Sequence, residues 1–293
     1  MIESFLRYIQ HEKRYSKHTS VSYETDLRQF AQFLTSIDTG IKLQDVVYGH
    51  IRSWIVSMVE DQISSRSINR KIASLRAFYK FLLSRDLIKK NPTIKLKALK
   101  TEKKLPSFVR ESEMERLLDT IPFPDDFSGV RDKLIFEMLY GTGIRLNELI
   151  NTVPDDINFY ERTIKVLGKR NKERIIPVPD SIVDLIQEYI CARDEHFHDK
   201  FCKFLLVTDK GEKSYPMMIY RTVNHYLNLV TTSDKKSPHI LRHTFATHLL
   251  NKGADLNAVK ELLGHANLAA TQVYTHNSME KLKSAFDKAH PKA

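Results

Sequence analysis

Apolar residues near the start of the chain recur at spacings of three and four. Over residues 64–85, Ile68, Ile72, Leu75, Tyr79 and Leu82 fall in one stripe. This predicts an amphipathic helix, with Arg66, Asn69, Arg70 and Lys80 turned away from the stripe. A second helix is predicted over 19–36, with Tyr23, Leu27, Phe30 and Leu34 inward, and shorter ones over 2–11 and 50–60. Together they make a four-helix module that ends at the Asn91-Pro92 pair. The stretch IKLKALKTEKKLP follows, carrying Lys95, Lys97, Lys100, Lys103 and Lys104, and reads as a linker over 93–106.

From residue 107 the pattern is again mostly helical, with helices expected at 111–120, 128–140, 180–196, 217–230, 238–251 and 256–263. Ser237 followed by Pro238 is a start signal for the helix over 238–251, with the serine as cap and proline in first position. TIKVLGKRNKERIIPVP reads as two β-branched strands around a polar turn, a hairpin with Lys169 at its bend. A further strand is expected over 203–208. The fold class is therefore mainly α. A four-helix domain over 1–92 and the linker precede a mainly α domain over 107–293 with a small antiparallel sheet at one edge. A length of 293 residues fits two domains, each burying its own core.

Charge sharpens this division. The net charge is +10, and residues 1–106 hold 20 Lys and Arg against 10 Asp and Glu, whereas 107–293 hold 26 of each. The whole excess lies in the N-terminal part, where it could serve non-specific nucleic-acid affinity or only solubility. No apolar run approaches the roughly 20 residues of a membrane span. The opening MIESFLRYIQHEKRY has no signal-peptide core, so the chain is expected in the cytoplasm, with no membrane partner. Cys191 and Cys202 have neither a disulfide-framework count nor a metal-type spacing.

The chemistry concentrates in SPHILRHTFATHLLNKGADLNAVKELLGHANLAATQVYTH, residues 237–276. His239 and Arg242 lie three apart on the predicted helix and share a face. His265 follows Gly264, and Tyr274 comes nine residues later. A tyrosine hydroxyl titrates near 10, so its use as a nucleophile needs a base and cations beside it. Upstream, YGTGIRLNEL places Arg145 behind a Gly-Thr-Gly break, where one helix stops near Gly141 and the next begins. An arginine there adds its donors to free backbone N–H groups and favours a phosphate oxygen. Each residue also has a plain reading: Glu148 is a ready ion-pair mate for Arg145, and Lys172 rivals Lys169. His239, His243, His248 and His265 lack zinc-ligand spacing, so no metal is expected.

GTGIRLNEL, the GKRNKER hairpin, HILRHTFATHLL, ELLGH and VYTH, in that order, resemble the tyrosine site-specific recombinases, the phage integrase family, and most of all its bacterial Xer branch. RYSKHTSVSYETDLRQFAQFL and SSRSINRKIASLRAFYKFL are similar to the family's N-terminal core-binding domain. The resemblance implies the DNA breaking-rejoining fold and a catalytic set of Arg145, Lys169, His239, Arg242, His265 and Tyr274. It further implies that Tyr274 attacks the scissile phosphate and forms a 3′-phosphotyrosyl bond, with Arg145 and Arg242 on the non-bridging oxygens. Lys169 would protonate the departing 5′-hydroxyl, His239 would assist deprotonation of Tyr274, and His265 would hydrogen-bond the phosphate or orient the other groups. Three departures stand out: Arg170 where the hairpin commonly has glycine, Asn147 where serine is usual, and Pro154 at a helix exit.

The resemblance also implies double-stranded DNA as substrate and a tetramer on two paired sites, with a paralogous partner as one form of it. It implies no cofactor, in keeping with the absence of a Walker-type run. In the Xer branch, and more in its XerD-like part, the task is resolution of chromosome dimers at cell division, activated by the DNA translocase FtsK, in the nucleoid. DNA contacts are expected from Arg66, Asn69, Arg70, Lys80, Lys95, Lys97, Lys100, Lys103, Lys104 and Arg170. The tail helix, with Met279, Leu282 and Phe286 on one side, either closes the chain's own core or docks into a neighbouring subunit. Three alternatives stay open: an integrase of a mobile element, a type IB topoisomerase and a DNA-binding protein without catalysis.

Overall fold

Ser64 accepts a hydrogen bond from the Ser67 amide and opens helix α4, Ser65–Ser84. Its whole predicted stripe, from Ile68 to Leu82, is buried. Against it lie α1 (Ile2–Arg7, continued by a π turn over Tyr8–Glu12), α2 (Lys17–Ile37, capped by Ser16) and α3 (Tyr48–Glu60). Phe5, Phe30, Trp54 and Phe78 fill the space between these helices. The computed structural model describes residues 1–101, 107–168, 173–198, 200 and 202–264.

A polar network sits inside this core. The Asp26 carboxylate on α2 is fully buried and accepts from Arg70 Nη1 at 2.5 Å, Lys71 Nζ at 3.3 Å and Ser74 Oγ at 2.7 Å. All three donors are on α4, so the network locks the pairing of the two helices.

The chain after Pro92 departs from the expected linker. Leu96 is buried in the N-terminal core, and the Asn69 amide brackets the Leu99 backbone, donating to its carbonyl at 2.9 Å and accepting from its N–H at 2.8 Å. Arg76 Nη2 donates to the Leu96 carbonyl at 2.5 Å. The alternation of apolar Leu96 and Leu99 with exposed Lys95, Lys97 and Lys100 ties this segment to α4. The compact units are accordingly Met1–Leu105 and Pro106–Ala293, so the first extends beyond residue 92.

The second unit is built around α6 (Phe127–Gly141), which is buried on nearly every side and capped by Asp126. Around it stand α5 (Glu111–Glu115, continued by a π turn over Arg116–Thr120), α7 (Leu146–Asn151), α8 (Asp180–Phe197), α9 (Pro216–Val230), α10 (Pro238–Asn251) and α11 (Leu256–Leu263). A 3-10 turn at Pro154–Asp156 leads into an antiparallel sheet in the order β1 (Ile157–Asn158), β2 (Thr163–Leu167), β3 (Glu173–Pro177). In the hairpin Thr163 pairs with Pro177 and Leu167 with Glu173. Its bend, with Lys169 and Arg170, lies outside the described residues.

One local expectation is corrected. Residues 203–208 form no strand; Val207 makes only an isolated bridge with Lys213, although Leu205, Leu206 and Val207 are buried. Ser237 occupies the cap position of α10 with Pro238 behind it, yet its side chain makes no capping bond. Among the described residues, no helix is long and apolar enough to cross a membrane.

Candidate active site

The Gly-Thr-Gly break is a compact reversal. Thr142 Oγ1 donates to the Met138 carbonyl and accepts from the Ile144 N–H, which stops α6 and turns the chain. Gly143 has φ +60°, and a Cβ there would lie 2.5 Å from Phe245 Cδ1. Glycine is needed for both the conformation and the close approach. The turn delivers Arg145 to the N-cap of α7, where its backbone N–H donates to Glu148 Oε2 at 2.8 Å. Its side chain donates to Glu148 Oε1 at 2.8 Å and to the Gly264 carbonyl at 2.9 Å.

Arg242 approaches from α10 and is buried. It donates to the carbonyls of Gly143 and Leu263. Burial, with the Arg145 and Arg174 cations nearby, pulls its guanidinium below the ordinary arginine value to about 9, so it stays charged at neutral pH. His239 sits one turn earlier on the same helix and is exposed. The neighbouring His248 is instead a core residue. Its Nδ1 is 2.9 Å from the Tyr140 hydroxyl, and burial lowers its pKa.

A third arginine, on β3, joins the site without having been predicted for it. Arg174 is buried and makes a two-pronged pair with Glu148, both bonds 2.7 Å, while its Nε donates to the Leu262 carbonyl at 3.0 Å. Burial by itself would raise the Glu148 carboxyl; Arg174 and then Arg145 outweigh it and bring the pKa from 4.5 down to about 2. Three arginines from three elements thus donate to three successive carbonyls, Leu262, Leu263 and Gly264, at the end of α11. Those carbonyls are the groups a helix C-terminus leaves unsatisfied, and cations favour that end. Gly264 ends α11 at φ +61°.

With three guanidinium groups gathered at the end of α11 and one carboxylate, Glu148, paired to two of them, the cluster keeps an excess of positive charge, which fits a phosphate. Arg145 and Arg242 are brought together here. His239 shares the helix of Arg242, while Lys169, Arg170, His265 and Tyr274 lie outside the described residues. Among the described residues, no group of three His, Cys, Asp or Glu is placed to hold a metal.

The model of the phage integrase family matches residues 107–281, and that of the phage integrase N-terminal SAM-like domain matches residues 2–86. The chain belongs to the phage integrase family. It is 38% identical over 295 residues to the tyrosine recombinase XerC of Listeria innocua, covering 99% of this chain and 97% of the relative. It is 36% identical over 315 residues to XerC of Chlorobaculum tepidum, covering 99% and 94%. The name carried by these relatives is XerC, whereas the XerD-like part of the branch is the expectation from the sequence. Among solved structures, the site-specific recombinase XerH bound to its difH substrate matches with TM-score 0.70 at 22% identity, over 97% of this chain and 84% of that one. The Tn1549 transposon integrase in complex with circular intermediate DNA matches with TM-score 0.70 at 23% identity, over 96% and 97%. These two establish the fold. As a tyrosine recombinase of this family, the chain cuts and rejoins DNA through a tyrosine-linked intermediate.

The positions expected to meet DNA from the N-terminal unit divide into two groups. Arg66, Lys80, Lys95, Lys97 and Lys100 are exposed. Asn69 and Arg70 have structural work, on the Leu99 backbone and on Asp26. Lys103 and Lys104 lie outside the described residues.

Proposed function

We propose that Tyr274 is the nucleophile of this recombinase and that Arg145 and Arg242 hold the scissile phosphate. The supporting observation is the convergence of these two arginines on the Leu263–Gly264 turn, the point from which the chain runs on to His265 and Tyr274. Tyr274 Oη attacks phosphorus, the bond to the 5′ oxygen breaks, and the departing oxygen takes a proton from Lys169. The tyrosyl proton leaves with help from His239, and His265 hydrogen-bonds the phosphate or orients the other groups. The product is a 3′-phosphotyrosyl bond. Attack by a 5′-hydroxyl reverses the step with no external energy source, since the bond energy is retained. Arg242 lacks a carboxylate partner among the described residues, so its charge is available to the equatorial oxygens as they gain negative charge.

The biological task proposed is resolution of chromosome dimers in the cytoplasm, by a tetramer on two paired DNA sites that includes a paralogous subunit or four identical ones. FtsK is the proposed activator. Full-length similarity to relatives named XerC favours this over mobile-element integration. The test is covalent trapping on nicked genomic fragments, comparing the native chain with Tyr274→Phe and sequencing DNA that stays attached after denaturation. Adducts made only by the native chain, at one dominant site near the replication terminus, support the whole reading. Adducts at the ends of a mobile element would replace the task while keeping the chemistry. Equal adducts from both proteins would remove Tyr274 from its role.

A further inference from the structure

We infer that Arg174 is a positioning residue for the phosphate clamp, holding the Glu148 carboxylate on which Arg145 rests and the end of α11 to which Arg145 and Arg242 are both bound. The inference rests on the reading of Arg145 and Arg242 as phosphate ligands. It begins with how the Glu148 oxygens are used. Oε1 accepts from Arg174 Nη1 at 2.7 Å and Arg145 Nη1 at 2.8 Å; Oε2 accepts from Arg174 Nη2 at 2.7 Å and the Arg145 backbone N–H at 2.8 Å. Each oxygen therefore receives one donor from each arginine, which uses the lone pairs of an ionised carboxylate. Glu148 cannot rotate without breaking bonds to both.

The charges point the same way. Arg174 and Glu148 form a buried neutral pair, with side chains 6% and 4% exposed. Arg145 is a third party to that pair and is one-third exposed. Without Arg174, Glu148 would have Arg145 as its main counter-ion and would spend the charge intended for the phosphate. Arg174 absorbs the carboxylate's charge and leaves the cationic surplus on Arg145 and Arg242.

The third bond of Arg174, from Nε to the Leu262 carbonyl, reaches the other half of the clamp. Arg145 and Arg242 bind the next two carbonyls, so the height of this turn sets where both guanidinium groups stand. Gly264 closes the fit: a Cβ there would come within 3.1 Å of Arg174 Cδ. A lysine at 174 could meet one carboxylate oxygen as a point charge, but it has no fork to span both and no Nε to reach Leu262.

The test uses the full chain as native protein, Arg174→Lys, and the double variant Arg174→Met with Glu148→Gln. One readout is amide hydrogen exchange over residues 256–264 without DNA. The other is single-turnover covalent adduct formation at saturating concentrations of the duplex that the native chain traps, with duplex affinity measured in parallel. For Arg174→Lys, exchange over 256–264 should be faster and the adduct rate should fall on the order of 100-fold, as for a misplaced catalytic geometry. Duplex affinity should stay within about threefold, the pattern of an interaction realised in the transition state. The double variant, which removes the buried charges together, should recover thermal stability without recovering the rate. An Arg174→Lys adduct rate within about threefold of native would overturn the inference, and so would full recovery of the rate in the double variant, since Arg174 would then only neutralise Glu148. If the native chain forms no adduct, the phosphate-clamp reading fails, and unchanged exchange in Arg174→Lys would overturn the positioning role by itself.

Discussion

Replacing Glu148 with glutamine isolates the electrostatic centre of the site. The native carboxylate is almost fully buried between Arg174 and Arg145, and its pKa falls from 4.5 to about 2. At about 1.4 kcal/mol per tenfold change, that fall corresponds to about 3 kcal/mol of stability at neutral pH. Breaking a buried pair from one side costs about 3–5 kcal/mol, since the partner stays buried and charged. A glutamine also turns an NH2 group toward guanidinium donors that need an acceptor. The two estimates agree on a loss of at least about 3 kcal/mol. For a unit of this size that lowers the unfolding midpoint by roughly 6–12 °C.

The assay is denaturation followed by far-UV circular dichroism at several pH values. The single tryptophan, Trp54, lies in the N-terminal core, so its fluorescence is an internal control that should not move. Because the folded-state pKa is depressed, the Glu148 contribution is fully present above 4.5 and is lost as pH falls toward about 2. The gap between native and variant should therefore be about 3 kcal/mol at pH 7 and lose about 2 kcal/mol of that by pH 3. A gap under about 1 kcal/mol at pH 7, or one of the same size at pH 3, would refute the assignment of this stability to the ionised carboxylate.

Further outcomes follow from other residues. Asp26→Asn should destabilise the N-terminal unit by about 3 kcal/mol, seen as a lower urea midpoint by Trp54 fluorescence, because Arg70 and Lys71 lose their shared buried anion. Gly143→Ala should cost about 2 kcal/mol or more in thermal stability, since its φ of +60° and the 2.5 Å approach to Phe245 leave no room for a Cβ. Changing Lys95, Lys97 and Lys100 together to glutamine should flatten the dependence of log affinity on log salt by roughly 0.9 for each phosphate no longer neutralised; an unchanged slope would show that these lysines face away from DNA.

Much of this molecule could be read along the chain, because helix amphipathicity and turn chemistry are local. The stripe from Ile68 to Leu82 is buried as a set, and the Gly-Thr-Gly break does end one helix and deliver Arg145 to the cap of the next. The Arg145–Glu148 pair was visible too, as neighbours three residues apart. The strand expected over 203–208 failed because an apolar run marks burial, whereas a strand needs a partner ladder, which is set elsewhere in the chain. The linker failed for a related reason. Lys95 to Lys100 look solvated, but Leu96 and Leu99 between them had a surface on α4 to cover.

Arg174 shows most clearly where local reading stops. Strand alternation places it on the same face as buried Ile176, which was a usable signal for an inward guanidinium. What it would meet there was not legible. Glu148 lies 26 residues away and the Leu262 carbonyl 88, on elements whose approach depends on packing of the sheet, α7 and α11. Residue types and their order along the chain were enough to indicate the reaction. The charge state of Glu148 and the shared grip of three arginines on one helix end arise from desolvation and proximity, which exist only once distant segments are brought together.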